Sequence, residues 1–192
     1  MSKYLSAVLF FVACLSLSCF GETNLIANPG FEDSNSTAWG GRGAKLEITT
    51  EQKHSGQQCG KASDRTDNWQ GIKQSLSNKM KAGETYKISG WVRLENSVSA
   101  RVIVSIEQKD DQGTKYTNIA NTDATDSNWV EVSGTFTLSV MGTPSVLDIY
   151  FEGPPAGINF YVDDVSVSSL SATAAPAAEP NKPTEPNVPA KR

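Results

Sequence analysis

Short segments in which apolar and polar residues alternate dominate the middle of this sequence. In the segment VLDIYFEG, residues 146–153, three apolar side chains alternate with Asp148, Tyr150 and Glu152. Successive side chains of a strand point to opposite faces, so this pattern predicts a strand with one face against a core. The other face carries an aromatic ring beside two carboxylates, which a purely solvated face does not require.

The same alternation recurs along the chain, at 45–51, 85–95, 100–108, 128–139 and 158–169. Clusters of Gly, Pro, Asp, Asn and Ser separate these segments and are typical of turns. No segment has the apolar period of an amphipathic helix. Many short strands joined by such turns predict an all-β fold, an antiparallel jelly-roll β-sandwich.

The two ends of the 192-residue chain differ from the middle. Residues 1–21 combine Lys3 with an apolar run that is short for a membrane span, which predicts a signal peptide cleaved after Ser18 or Gly21, and hence a secreted, extracellular protein. A signal anchor, or lipoprotein processing at Cys14 or Cys19, is the alternative. Residues 171–192 contain five of the nine prolines and predict a Pro/Ala-rich linker or disordered tail. The predicted folded unit is therefore 22–170.

The net charge and the cysteine content argue against some classes of partner and of fold. Seventeen Lys and Arg against 21 Asp and Glu give a net charge of −4, so we expect neither nucleic acid nor an anionic membrane as a partner. Cys59 is the one cysteine outside the signal region, which argues against a disulfide-stabilised scaffold. We expect it to be a small buried apolar residue; a reactive thiol near His54 is the lesser alternative.

Three aromatic residues have polar surroundings. Trp69 and Tyr116 occupy polar, turn-rich segments, and Tyr150 has the polar parity of its strand. Exposed rings among polar groups favour a binding surface, because flat rings cover the C–H faces of sugars while polar groups orient the hydroxyls. Taken singly, each ring could instead anchor a loop. The remaining tryptophans are predicted to be packing residues: Trp39, Trp91 and Trp129.

Acidic residues suggest two further interpretations. Asp148 and Glu152, with Glu107 nearby, could form the carboxylate pair of a glycoside hydrolase, although charges on one strand face more often are solvated. No histidine cluster, nucleophile elbow or glycine-rich phosphate loop supports an enzyme. Asp163, if inward-facing, needs a partner. Glu32 and Asp163 with backbone carbonyls could bind Ca²⁺, or Asp163 could accept backbone amide hydrogens.

Several motifs together resemble carbohydrate-binding module family 22, the xylan-binding modules of a superfamily that includes families 4 and 9. They are NLIANPGFED, HSGQQCGKASDRTDNWQGI, KYTNIA, IYFEGP and FYVDDVSV, and the resemblance covers about 24–167. Cys59 departs from the polar or small residue that is usual there. The resemblance implies a non-catalytic module that binds xylan or a related β-glycan and is joined to a glycoside hydrolase.

The resemblance also implies roles for single residues. Trp69 and Tyr116 would stack on sugar rings, and Tyr150 and Glu152 would line the cleft floor, with Arg42 as a further polar contact. A structural Ca²⁺ would correspond to Glu32 and Asp163. Two alternatives remain: a small jelly-roll hydrolase acting on xylan or β-glucan, and a surface scaffold that docks a partner through residues 171–192.

Overall fold

The computed structural model describes residues 23–97 and 99–170. Within them, all regular secondary structure is β: β1 (Trp39–Arg42), β2 (Lys45–Thr49), β3 (Cys59–Ser63), β4 (Gly71–Ser75), β5 (Thr85–Leu94), β6 (Ala100–Asp110), β7 (Gly113–Ala124), β8 (Val130–Thr137), β9 (Val146–Glu152) and β10 (Phe160–Ser169). In these residues no helix is long and apolar enough to cross a membrane. The predicted signal peptide at 1–21 and the Pro/Ala-rich segment at 171–192 lie outside the described residues.

The strands form two five-stranded sheets, which we call the cleft sheet and the opposite sheet. The cleft sheet has the order β1-β4-β9-β6-β7, and the opposite sheet has the order β2-β3-β10-β5-β8. Neighbouring strands in both sheets are antiparallel. The predicted all-β jelly-roll sandwich is confirmed.

The core lies between the sheets and consists of the apolar side chains that alternation assigned to inner faces. Val102, Val104 and Ile106 on β6 are at most 1% exposed. Ile149 and Phe151 on β9 pack into the same cluster. Burial of these side chains drives the sheets together, and it leaves the polar parity of β6 and β9 on the outer surface of the cleft sheet.

Four strands lie outside the alternating segments. They are β1, β3, β4 and β7. β1 and β4 are short and contain glycine and polar residues, so their apolar periodicity is weak. Cys59 begins β3 and is fully buried, as expected, and burial raises the pKa of its thiol to about 12. Tyr116 lies within strand β7, in a segment that the sequence showed only as polar and turn-rich.

A β-bulge in β10 decides which face of the strand Asp163 occupies, a question that the sequence left open. Asp163 pairs with Trp91 and Ser166 with Ser89, so the register shifts between them. Asp164 has a positive φ of 46° at this point. Asp163 and Val167 therefore do not share one face of β10, although they are four positions apart. Asp163 lies on the outer side of the strand and is nevertheless fully buried.

Candidate functional site

A cleft of about 480 Å³ lies on the outer face of the cleft sheet. Its lining residues come from the two edge strands β1 and β7, from the central strand β9 and from the turn that precedes β4: Arg42, Trp69, Tyr116, Asn118, Tyr150 and Glu152. The structure thus brings together all five residues that the sequence predicted as a binding site. That they bind a ligand stays a prediction.

Two aromatic side chains stand at the cleft with large exposed areas. Trp69 lies in the turn before β4 and is 45% exposed, and Tyr116 on β7 is 57% exposed. β7 is an edge strand of the cleft sheet, whereas β4 lies near the other edge. Exposed rings at these two positions offer apolar surface to a ligand that lies across the sheet.

Tyr150 forms the floor, and its exposure differs from the expectation. The side chain has the predicted outward parity but is only 1% exposed. The guanidinium carbon of Arg42 lies 4.0 Å from the Tyr150 ring centroid and covers the ring. The prediction that Tyr150 is an exposed aromatic is therefore wrong, because β1 joins the sheet beside β4 and places Arg42 above β9.

Arg42 is held by groups on three sides. Its Nε lies 3.4 Å from Glu107 Oε2, and its Nη1 lies 3.5 Å from Glu152 Oε2. Nη1 also donates a hydrogen bond of 2.5 Å to the Trp69 carbonyl oxygen. The guanidinium carbon is 5.4 Å from the Trp69 ring centroid and 5.5 Å from that of Tyr116, distances at which cation–π attraction operates.

Burial alters the acid–base properties of the floor. Burial raises the pKa of Glu152, and the Ser105 hydroxyl and the Arg42 guanidinium oppose the increase. Burial, together with the Glu152 charge, also raises the pKa of Tyr150 to about 12. The Tyr150 hydroxyl is therefore neutral at ordinary pH, and its hydrogen bonds with Ser105 and Glu152 make it part of the polar floor.

The sequence missed two polar residues of the cleft. Asn118 lines it directly, and Ser105 Oγ lies 3.0 Å from Asn118 Oδ1 and 3.1 Å from Glu152 Oε1. Asn118 follows Tyr116 by two positions, so strand alternation places both on one face once β7 is recognised. Glu107, considered only as a catalytic acid, pairs with Tyr116 in the β6–β7 register.

The carboxylates weighed as catalytic groups are committed to ion pairs. Asp148 Oδ2 lies 2.7 Å from Lys73 Nζ, and Glu107 and Glu152 both face Arg42. All three carboxylates thus contact a cationic side chain, and Glu107 and Glu152 share one guanidinium. The arrangement suits recognition of hydroxyl groups rather than acid catalysis.

Glu32 and Asp163 both lie beside Gly30, where a Cβ atom would be 3.8 Å from Glu32 Cγ and 3.6 Å from Asp163 Oδ1. Asp163 Oδ2 accepts hydrogen bonds from the amides of His54 at 2.8 Å and Ser55 at 3.2 Å. Glu32 Oε1 accepts hydrogen bonds from the amides of Gln57 and Gln58. No cluster of three or more His, Cys, Asp or Glu that could hold a metal occurs in residues 23–97 and 99–170. The residues present thus fit Ca²⁺ only if backbone carbonyl oxygens supply most of its ligands.

The other three tryptophans are packing residues, as predicted. Trp39 is 5% exposed and its ring centroid lies 5.0 Å from that of Phe31. Trp91 stacks on His54 at 3.9 Å, and Trp129 approaches the same histidine edge-on at 6.0 Å. None of the three lines the cleft.

Comparison with known proteins agrees with this geometry. The family model described as a carbohydrate binding domain matches residues 23–157. Endo-1,4-beta-xylanase A of Thermoanaerobacterium saccharolyticum is 36% identical over 151 residues, which are 76% of this chain and 13% of that protein. Exoglucanase XynX of Acetivibrio thermocellus is 30% identical over 182 residues, 88% of this chain and 17% of that protein. The chain thus spans less than a fifth of these two curated relatives.

One solved domain matches this chain over nearly the whole length of that domain. The CBM22-1 xylan-binding domain of Xyn10C from Paenibacillus barcinonensis has a TM-score of 0.71 and 28% identity, and the match covers 79% of this chain and 97% of that domain. The resemblance to family 22 that the sequence motifs indicated is confirmed. The chain therefore belongs to the carbohydrate-binding domain family, as a non-catalytic module whose solved neighbours include family 22 domains.

Proposed function

We propose that this domain binds β-1,4-linked plant polysaccharide, with xylan as its ligand. The observation that carries the proposal is the pairing of two exposed rings, Trp69 and Tyr116, with a polar floor between them. Rings of this kind stack on pyranose faces, while Asn118, Glu152 and the Tyr150 hydroxyl supply hydrogen-bonding groups for sugar hydroxyls. The names of the related xylanases and of the xylan-binding structural neighbour support the same ligand.

In this proposal the module catalyses no reaction and instead holds an attached enzyme close to the polysaccharide. A sugar-binding domain that is covalently joined to a hydrolase raises the local concentration of that hydrolase at the polysaccharide. We propose that the chain serves a glycoside hydrolase in this way, through the Pro/Ala-rich segment at 171–192. Secretion follows from this role, because plant polysaccharide lies outside the cell, and the apolar segment at 1–21 has the composition of a signal peptide.

The direct test is calorimetric titration of the purified chain with xylohexaose and, separately, with cellohexaose. We expect clear binding of xylohexaose and weaker binding of cellohexaose. Equal binding of both would support a broader β-glycan ligand, with mixed-linkage glucan as the next ligand to titrate. Binding of neither sugar would overturn the proposal. Reducing sugar released from xylan should stay at the level of a buffer blank over a range of pH.

We also propose a structural Ca²⁺ held by Glu32 and Asp163 together with backbone carbonyls. The supporting feature is a pair of carboxylates, one fully buried, that both lie beside Gly30. Burial raises the pKa of Asp163, and a bound cation would offset that cost of burying charge. The test compares the melting temperature with added Ca²⁺ and with chelator. If the melting temperature is unchanged, the hydrogen bonds from backbone amides alone would account for the buried carboxylate of Asp163.

A further inference from the structure

We propose that Gly43 is a positioning residue for Trp69 and thereby sets the shape of the sugar-binding cleft; this inference rests on the proposed function. Gly43 follows Arg42 at the end of β1 and has a positive φ of 68°. A Cβ atom at this position would lie 2.7 Å from Trp69 Cη2 and 2.8 Å from Trp69 Cζ3. Carbon atoms do not approach so closely, so the outer edge of the indole occupies the space that a side chain at position 43 would need.

The surrounding structure restricts movement of the backbone at Gly43. Gly43 forms a β-bridge with Gly71, the first residue of β4. A Cβ at Gly43 would also lie 3.0 Å from Gln70 Cγ. Gln70 is 8% exposed, and its side-chain oxygen accepts a hydrogen bond from the Asp67 amide at 3.1 Å. The bridge and the buried glutamine fix the backbone around position 43, so the exposed indole ring is the part that must move.

Arg42 and Gly43 act on different parts of Trp69. Arg42 Nη1 holds the Trp69 carbonyl oxygen at 2.5 Å, which fixes the backbone of the turn. Gly43 leaves room for the outer edge of the ring at the end of the strand. Two consecutive residues thus determine where a 45% exposed ring stands. A ring that is fixed before the ligand arrives costs less conformational entropy on binding.

The chain offers a matched control for the strain that any side chain would suffer at a positive φ. Gly83 has a φ of 84°, and a Cβ there would have no non-neighbouring heavy atom within 4 Å. Gly43→Ala and Gly83→Ala both introduce a side chain into the left-handed region. Only the first variant contacts Trp69. We expect both to lower the melting temperature, and only Gly43→Ala to weaken xylohexaose binding, by about tenfold, as for a disturbed aromatic hot spot.

A double-mutant cycle tests whether Gly43 acts through Trp69. Phenylalanine lacks the outer edge of the indole, which carries the contact with position 43. In a Trp69→Phe background, Gly43→Ala should therefore cost little further affinity. Equal losses from Gly43→Ala in both backgrounds, or the same affinity for Gly43→Ala as for the wild-type chain, would overturn the proposal.

A readout without ligand separates this proposal from the proposed function. The indole N–H resonance of Trp69, assigned by its loss in Trp69→Phe, should shift in Gly43→Ala and stay in place in Gly83→Ala. An unshifted resonance in Gly43→Ala would contradict the positioning role, whatever the ligand. A shifted resonance in a chain that binds no sugar would support the positioning of Trp69 and overturn only the proposed function.

Discussion

The guanidinium carbon of Arg42 lies 4.0 Å from the ring centroid of Tyr150, so a cation covers the aromatic floor of the cleft. The same guanidinium lies between Trp69 and Tyr116, at 5.4 and 5.5 Å from their ring centroids. Arg42 thus links the floor to both exposed rings. Under the proposed function, Trp69 and Tyr116 would stack on the sugar, and Arg42 would keep the surface between them in a fixed arrangement.

Trp69→Ala should weaken xylohexaose binding by about 1–3 kcal/mol, the range for truncation of an aromatic anchor. The melting temperature should change little, because nearly half of the side chain is exposed. Calorimetric titration gives the affinity. Trp129→Phe is the control, since Trp129 packs near His54 and Tyr161 and does not line the cleft. If Trp69→Ala binds xylohexaose as tightly as the wild-type chain does, Trp69 is not part of the binding site.

Arg42→Lys should lower the affinity for xylohexaose by about tenfold although the charge is kept. Lysine has no planar group that can cover Tyr150 while bonding to Glu107, Glu152 and the Trp69 carbonyl. The loss should appear mainly as faster dissociation, because fewer contacts hold the ring of Trp69 against the ligand. Lys73→Arg, a conservative change at the ion pair with Asp148, serves as the control. An Arg42→Lys chain with wild-type affinity would show that positive charge alone is sufficient.

Strand parity predicted much of the cleft, and its failures have physical causes. Alternation placed Tyr150 and Glu152 on one outer face, and the structure agrees. It could not show that Arg42 covers Tyr150, because that contact depends on β1 pairing with β4 and β4 with β9, strands separated widely in sequence. Arg42, Trp69 and Tyr116 were assigned to the site from the family resemblance together with their residue types, and not from strand parity.

Local irregularities account for the remaining differences. The bulge between Asp163 and Ser166 adds a residue that no periodicity reveals, so alternation alone could not decide which face Asp163 occupies. Tyr116 stands on an edge strand whose residues are mostly exposed, and such a strand lacks the apolar alternation that marks β6. Recognition of the β6–β7 hairpin would have placed Asn118 beside Tyr116.

Xylohexaose affinity should change little as the salt concentration rises. A neutral sugar releases no counterions, and the charges at the cleft are already paired with one another as Arg42–Glu107 and Arg42–Glu152. Titrations at low salt and at about 0.5 M salt, where screening of exposed charges is nearly complete, provide the comparison. A steep decrease in affinity with salt would point to a charged ligand and against the proposed polysaccharide.

We expect the free energy of unfolding of the wild-type chain to decrease as pH rises above 4.5. Glu152→Gln should reduce that decrease. Burial raises the pKa of Glu152 above its ordinary value of 4.5. Between the two values the folded state binds more protons than the unfolded state, so the free energy of unfolding decreases as pH rises through this interval. Glutamine does not titrate and removes that contribution. Urea unfolding at closely spaced pH values measures the effect.

Glu47→Gln provides a control of opposite sign. A hydrogen bond from Lys45 lowers the pKa of Glu47, so its contribution to stability is present above pH 4.5 and is lost as pH falls below that value. The variant should therefore change the stability curve below pH 4.5 and leave the interval above it as in the wild-type chain. A Glu152→Gln curve that also differs from wild type only below pH 4.5 would mean that Arg42 and Ser105 outweigh burial at the cleft floor.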